Sequence, residues 1–179
     1  MFLASSITRS NTQDMATWRP LTVNDIEGLM RVADVVHNEL PEKDSVFAER
    51  ARLFPEGCFV LAEDSKIYGY AISHPIRYRQ PPALNSLLHE IALDADQFYI
   101  HDVCLLPDLQ GLGYAREALN RLLAVGERYT TTCLISVYGT SPFWARFGFR
   151  SPDGLDHSLL KKVSGYGDDA RYLERQNAK

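Results

Sequence analysis

The chain has 179 residues, 45% of them hydrophobic and 23% charged, a composition that is ordinary for globular proteins and excludes a mainly disordered or fibrous chain. Its 19 Lys and Arg against 23 Asp and Glu give a net charge of −4, which excludes the strongly basic surface of a dedicated nucleic-acid-binding protein. No apolar run approaches the roughly 20 residues that a membrane-spanning helix needs.

The first fourteen residues differ from the rest of the chain. Residues 1–14 are rich in Ser and Thr and have no acidic residue before Asp14, which predicts a disordered N-terminal extension, with a mitochondrial targeting segment as the alternative. Residues 15–179 are long enough for one domain. The three cysteines are too few and too scattered for a disulfide framework, which indicates a reducing compartment, and we expect the cytoplasm.

The first half of the chain predicts a strand, two helices and a hairpin. An edge strand over residues 16–20 precedes a helix that begins after Thr22 as N-cap, with Asp25 at its third position. A second helix is predicted over residues 44–54, followed by strands over 58–63 and 67–73. The connection from 74 to 97 breaks every pattern, and we expect one short helix in it near 84–90.

The second half predicts alternating strands and helices. A strand over residues 98–106 ends at Pro107 and is followed by a glycine-containing loop and a helix over 115–125. A strand over 132–138 then leads to a short helix with Pro142 at its first position. The last part of the chain is ambiguous between strand and helix. This order predicts an α/β (α+β) fold with a mixed sheet.

The loop between the strand and the helix has the pattern of a phosphate cradle, because glycines let the backbone approach a ligand and a helix N-terminus offers free N–H groups. A dinucleotide-binding fingerprint would need Gly where Arg116 stands, and a Walker loop would need Gly-Lys-Ser/Thr, which is absent. The pattern Gln/Arg-x-x-Gly-x-Gly/Ala is matched by Gln110, Gly113 and Ala115. A plain glycine turn before a helix is the alternative.

An aromatic segment, Pro142-Phe143-Trp144-Ala145-Arg146-Phe147-Gly148-Phe149, follows the loop by about thirty residues. The loop and this segment, in this order and separation, resemble the GNAT superfamily of acetyl-CoA-dependent N-acyltransferases. The resemblance spans about residues 17–149. It implies a mixed, mostly antiparallel sheet that is splayed at the acyl-CoA cleft and flanked by helices. It also implies acetyl-CoA as cosubstrate.

The resemblance assigns donor-binding roles to individual residues. Cys104, Leu105 and Leu106 are implied to pair their backbone with the pantetheine arm, and an N–H near Leu105 to stabilise the oxyanion. Trp144 stands where many members of the family carry a Tyr that protonates the leaving thiolate, and we expect it to pack beside the pantetheine arm. The residues implied to offer backbone N–H groups to the pyrophosphate are Gln110, Gly111, Leu112, Gly113, Tyr114 and Ala115.

Acyl transfer to an amine needs a base, because an amine of pKa near 10.4 costs about 4.6 kcal/mol to neutralise at pH 7. His101 is the first candidate, since arylalkylamine-type members carry histidines on this strand and Tyr99 lies on its face. Asp102 is the alternative, and strand alternation puts it on the opposite face from His101 unless a bulge intervenes. Tyr138 is the nearest candidate for the acid that protonates the leaving thiolate, and departure of the thiolate without an acid is the alternative.

The resemblance favours a small-molecule primary amine as the acceptor, with protein N-termini or lysines as the alternative. Glu90 and Asp94 in the long connection are candidates for binding a cationic acceptor. A noncatalytic acyl-CoA-binding or regulatory module and a nucleotide-binding protein are the alternatives from other classes. We expect no metal, nucleic-acid or membrane partner, and a monomer or homodimer.

Overall fold

The computed structural model describes residues 16–178. The predicted disordered extension over residues 1–14 lies outside these residues. Within them, six strands form one sheet whose spatial order follows the chain. The strands are β1 (Thr17–Pro20), β2 (Cys58–Glu63), β3 (Lys66–Ile76), β4 (Gln97–Leu105), β5 (Thr131–Ser136) and β6 (Arg171–Gln176). The helices are α1 (Ile26–Val36), α2 (Asp44–Leu53), α3 (Tyr114–Gly126), α4 (Ser141–Ala145) and α5 (His157–Ser164).

The sheet is antiparallel except between β4 and β5, which are parallel and joined through α3. Helices cover both faces. One face packs Leu29 and Val32 of α1 and Phe47 of α2 against the sheet, and α5 covers the same face farther along. Helices α3 and α4 cover the other face. The predicted mixed, mostly antiparallel sheet flanked by helices is therefore confirmed.

The start of α1 has the predicted cap. Thr22 is extended and precedes a turn of 3₁₀ helix, Val23–Asp25, that leads into α1. The Asp25 carboxylate accepts hydrogen bonds from the Thr22 amide and hydroxyl, both at 2.8 Å, and from Arg19. The bond from the Thr22 amide satisfies one backbone N–H at the start of the helix, which is the physical reason for the Thr-x-x-Asp pattern.

The long connection differs from its prediction. Strand β3 continues through Pro75 to Ile76, because β2 ends its pairing at Ile72 and leaves the edge beside Pro75 free. Residues 84–90 form turns instead of the expected short helix. Asn85 and His89 have positive φ angles of 56° and 67°, which interrupt any helical run.

The ends of the other elements agree with the sequence within a few residues. Pro107 ends β4 and begins a turn of 3₁₀ helix. The ambiguous C-terminal part forms α5 and then β6. The three cysteines are buried and unpaired, as expected of thiols in apolar strands. No helix between residues 16 and 178 has both the length and the apolarity to cross a bilayer.

Candidate active site

The site lies where β4 and β5 separate. Their parallel pairing ends at Ile100 and Leu134, although β4 continues to Leu105 and β5 to Ser136. A cavity of about 700 Å³ occupies this gap, within the range of small-molecule sites. Leu105 on the α3 face and His101 on the α1 face both line it. The cavity therefore passes through the sheet from one face to the other.

A β-bulge in β4 arranges the polar residues of this cavity. Ile72 of β3 pairs with Asp102, and the next residue, Ser73, pairs with Ile100, so His101 is the extra residue. The bulge resets the alternation, and His101 and Asp102 both face α1 and α2 and both line the cavity. Regular strand alternation would place His101 and Asp102 on opposite faces. Because the bulge interrupts that alternation, the two side chains share one face.

His101 makes a buried contact with a carboxylate at this bulge. Its Nε2 lies 2.7 Å from Oε2 of Glu42, a residue of the α1–α2 connection. The side chains are only 3% and 8% exposed. Burial raises the pKa of Glu42, but the charge and hydrogen bond of His101 outweigh it and hold the pKa below its ordinary value. The other ring nitrogen, Nδ1, is buried without a partner among residues 16–178.

Asp102 forms a second histidine–carboxylate pair. Nε2 of His37, the residue after α1, lies 2.9 Å from Oδ2 of Asp102, and the Tyr70 hydroxyl donates to the same oxygen at 2.7 Å. Nδ1 of His37 lies 3.4 Å from the Tyr138 hydroxyl. Burial works to raise the pKa of Asp102, but His37 and Tyr70 hold it below its ordinary value. Two histidine–carboxylate pairs thus line one cavity, together with the exposed Asp34 of α1.

His37 and Glu42 were not singled out from the sequence. They lie in a short connection with no periodic pattern, and only the packing of α1 and α2 on the sheet brings them to β4. No signal in one sequence marks such residues. The α1 face of the cavity also has apolar walls, formed by Leu40, Pro41, Phe47, Leu84 and Tyr166.

The glycine loop lies at the other end of the cavity. Gly111 and Gly113 have φ angles of 78° and 93°, and Gly113 is the N-cap of α3. Within residues 16–178, no group accepts a hydrogen bond from the backbone amides of residues 111–116. Arg116 and Arg146 also line the cavity. Free amides, a helix N-terminus and two guanidinium groups fit the pyrophosphate of coenzyme A.

The edge of β4 that faces the gap offers further backbone groups. The Leu106 amide donates to the Tyr68 carbonyl of β3 at 2.9 Å, so it is not free to pair with a pantetheine arm as expected. Strand alternation then turns the N–H and C=O groups of Val103 and Leu105 toward the gap. The Gln110 side chain contacts the Leu105 carbonyl at 3.4 Å. Val103, which was not predicted as a site residue, lies beside Leu105 at this edge.

The two aromatic candidates lie on the β5 side. Tyr138 lines the cavity two residues after β5 and is 41% exposed. Burial raises its pKa, so its phenol is protonated at neutral pH. Trp144 also lines the cavity, but its indole N–H points to the Thr140 hydroxyl at 3.3 Å and its ring packs on Phe149. The indole N–H therefore already donates a hydrogen bond within the protein.

Of the remaining predicted site residues, Cys104 lines the cavity and the others do not. Cys104 lines the cavity through a buried thiol, whose pKa burial raises. Tyr99 is 1% exposed and packs on His101 without lining the cavity. Leu112 and Tyr114 belong to the loop but do not line the cavity. Glu90 is exposed in the long connection, outside the cavity, and Asp94 binds Arg77 there.

Comparison with known proteins agrees with this geometry. A model of the acetyltransferase (GNAT) family matches residues 23–149. A search of curated proteins found no match. Among solved structures, Ard1 from Thermoplasma volcanium is 16% identical, with a TM-score of 0.66 over 92% of this chain and 99% of that one.

Two similar structures contain coenzyme A groups. N-acetylglutamate synthase from Neisseria gonorrhoeae, complexed with coenzyme A and N-acetyl-glutamate, is 18% identical, with a TM-score of 0.64 over 92% of this chain and 35% of that one. Naa50 from Arabidopsis thaliana, in complex with the bisubstrate analogue CoA-Ac-MVNAL, is 12% identical, with a TM-score of 0.65 over 90% and 99%. These likenesses show the shared fold. The family match covers most of the chain, and this protein therefore belongs to the acetyltransferase (GNAT) family, as an acyltransferase that uses acetyl-CoA.

Proposed function

We propose that this protein transfers the acetyl group of acetyl-CoA to the primary amine of a small molecule by direct attack, and that residues 15–179 act as one acetyltransferase domain. One observation carries the choice of acceptor. The α1 side of the cavity holds three carboxylates, those of Asp34, Glu42 and Asp102, against two histidines, beside apolar walls. A cation with an apolar body fits such a pocket, because the carboxylates attract the ammonium and the walls bury the rest.

The donor enters from the α3 side. The amides of residues 111–116 bind the pyrophosphate, and the Val103 and Leu105 edge of β4 pairs with the pantetheine arm as an added strand would. This places the thioester in the gap between β4 and β5. The Leu105 amide then donates to the oxygen of the thioester as it becomes an oxyanion.

Proton transfer completes the reaction. The acceptor must lose a proton before it attacks, and a histidine held by a carboxylate can take it. Both His101 and His37 meet this description. Tyr138 protonates the leaving thiolate in this proposal, because it lines the cavity and carries a phenol hydroxyl. The indole N–H of Trp144 is instead hydrogen-bonded to the Thr140 hydroxyl.

A protein N-terminus is the second candidate acceptor. The similar Naa50 structure contains a bisubstrate analogue in which coenzyme A is joined to the sequence MVNAL. A peptide would have to reach the cavity past the connection between β3 and β4, which contributes Leu84 to its wall.

The test is a measurement of thiol release from acetyl-CoA with a panel of amines, beside thermal shifts with acetyl-CoA alone. The panel holds tryptamine, spermidine, lysine, an aminoglycoside and a peptide with a free N-terminus. We expect a thermal shift and turnover on a small amine. Turnover on the peptide alone would move the function to protein N-termini, and a shift without any turnover would favour a noncatalytic module.

A further inference from the structure

His37 differs from His101 in the access that its second ring nitrogen has to the cavity. The His37 side chain is 15% exposed against 3% for His101. Nδ1 of His101 is buried, whereas Nδ1 of His37 faces the hydroxyl of the exposed Tyr138. An acceptor amine, or a water that it contacts, can therefore reach His37 more readily than His101.

Asp102 fixes the proton of His37 on the correct nitrogen. An ionised carboxylate only accepts hydrogen bonds, so the contact of 2.9 Å places a proton on Nε2 of His37. The lone pair of the neutral ring then lies on Nδ1. The Tyr70 hydroxyl, 2.7 Å from Asp102, holds the carboxylate in place. This is the arrangement in which a carboxylate orients a histidine for proton transfer.

Tyr138 holds the ring from the opposite side. The two rings stack with centroids 5.6 Å apart and planes 18° apart. Tyr138 has a φ of 54°, a conformation that is uncommon for a residue with a side chain, and Gly139 after it has a φ of 67°. The Gly139 amide donates to Asp169 at 2.9 Å, which stabilises this turn. The chain thus keeps a strained backbone at a residue that contacts His37, as is common at functional sites.

Deepening the proposed amine transfer, on which this rests, we infer that His37 takes the proton of the acceptor ammonium on Nδ1. Asp102 is its positioning residue, and Tyr138 stacks on its ring while remaining the acid of the proposed function. The ammonium gives one proton to Nδ1, directly or through one water. The neutral nitrogen attacks the thioester carbon, and a C–N bond forms.

The C–S bond then breaks, and its electron pair leaves with the sulfur. The thiolate takes up a proton from Tyr138, which regains one from the acetylated nitrogen. The imidazolium of His37 finally releases its proton to solvent. The products are the amide, coenzyme A thiol and one proton, so the step balances.

The charged groups around His37 set the pH at which it works. Asp102 faces it from β4, Glu42 from the α1–α2 connection, Tyr138 from the segment after β5, and Asp34 lies on its own helix. Burial lowers the pKa of His37, but the charges of Asp102 and Glu42 outweigh it and hold the pKa above its ordinary value. Because the neutral ring accepts the proton, activity should rise with pH through this raised pKa.

The decisive comparison is between His37→Gln and His101→Gln, each measured for kcat/KM at pH 7 and pH 9.5. Loss of a general base costs about 10²–10⁴-fold. We expect His37→Gln to lose that much at pH 7 and at least tenfold less at pH 9.5, where solvent neutralises more of the amine. The kcat/KM of His101→Gln should fall by the same factor at pH 7 and at pH 9.5. The reverse pattern would return the base to His101, and equal losses for both variants would also overturn the inference.

A second measurement separates this inference from the proposed function. NMR titration of the imidazole rings needs no turnover. We expect the pKa of His37 to lie above the ordinary histidine value, and Asp102→Asn to lower it, because the charge and hydrogen bond of Asp102 are then lost. Absence of this change would overturn the dyad even if an amine is acetylated, whereas its presence without turnover on any amine would count against the proposed function alone.

Discussion

The side chain of Glu42 links two parts of the chain that are distant in sequence. Its Oε2 binds His101 at 2.7 Å, and its Oε1 accepts the Asn85 amide at 2.8 Å. The Lys43 amide in turn donates to the Asn85 side chain. One carboxylate therefore joins the bulge of β4 to the connection whose Leu84 forms a wall of the cavity. In the proposed function, the charge and the position of Glu42 both favour binding of the amine acceptor.

We predict that Glu42→Gln raises the KM for the amine about tenfold or more, because the pocket loses one of its buried negative charges while the shape of the side chain is kept. The matched control is Glu90→Gln, which removes the same charge at an exposed residue outside the cavity. Steady-state kinetics with acetyl-CoA saturating measures both. An unchanged KM in Glu42→Gln would contradict the assignment of Glu42, and a rise in Glu90→Gln alone would restore Glu90 as the acceptor-binding residue.

At the element scale, the glycine loop and α3 act as one unit. The positive φ at Gly113 turns the chain into the helix and leaves the amides at its N-terminus without acceptors among residues 16–178. A Cβ at Gly113 would meet no atom within 4 Å, so packing does not require glycine there. Conformation and the approach of a ligand do.

Gly113→Glu should abolish coenzyme A binding, because its carboxylate would lie in the anion cradle and repel the phosphates. Gly154→Glu is the matched control, since Gly154 also has a positive φ, of 68°, and also has open space around it, but does not line the cavity. Both variants carry a backbone cost of about 1–2 kcal/mol. Calorimetric titration with acetyl-CoA distinguishes them, and unchanged affinity in Gly113→Glu would refute the cradle.

The first helix allows a prediction about pH. Hydrogen bonds from Arg19 hold the pKa of Asp25 at about 2, against burial, which would raise it. A carboxyl whose pKa is lowered in the folded state stabilises it above the unfolded value near 3.9, and this stabilisation is lost as the pH falls through about 2. Asp25→Asn should therefore lower the free energy of unfolding by about 1–2 kcal/mol at pH 7.

Urea denaturation at several pH values tests this. The difference between wild type and Asp25→Asn should shrink between about pH 4 and pH 2. Glu39→Gln, at an exposed position, is the control and should change stability by less than about 0.5 kcal/mol. A difference that stays constant down to pH 2 would show that the ion pair with Arg19 does not carry the effect.

At the scale of the whole molecule, the splayed sheet separates two chemistries. The α3 side presents free amides and the guanidinium groups of Arg116 and Arg146, which suit an anion. The α1 side presents Glu42 and Asp102, which suit a cation. The gap between β4 and β5 is where the two sides meet, so in the proposed function an anionic donor and a cationic acceptor would reach one point from opposite faces.

Local signals along the chain were enough to predict most of the elements and the glycine loop. Helical spacing, the Thr22 cap, Pro107 and the two loop glycines act over a few residues, and such local signals can be read along the chain. They were enough to predict the fold class and the phosphate cradle. They could not predict that residues 84–90 form turns, because the Glu49 carboxylate that accepts the Leu88 and His89 amides comes from α2.

The polar centre, in contrast, depends on contacts between distant parts of the chain. The bulge at His101 depends on the register between β3 and β4, which sets the direction of every side chain after it. His37 and Glu42 reach Asp102 and His101 across 65 and 59 residues of chain. Pairs of this kind form because α1 and α2 pack on the sheet, and packing over such separations leaves no periodic trace in a sequence.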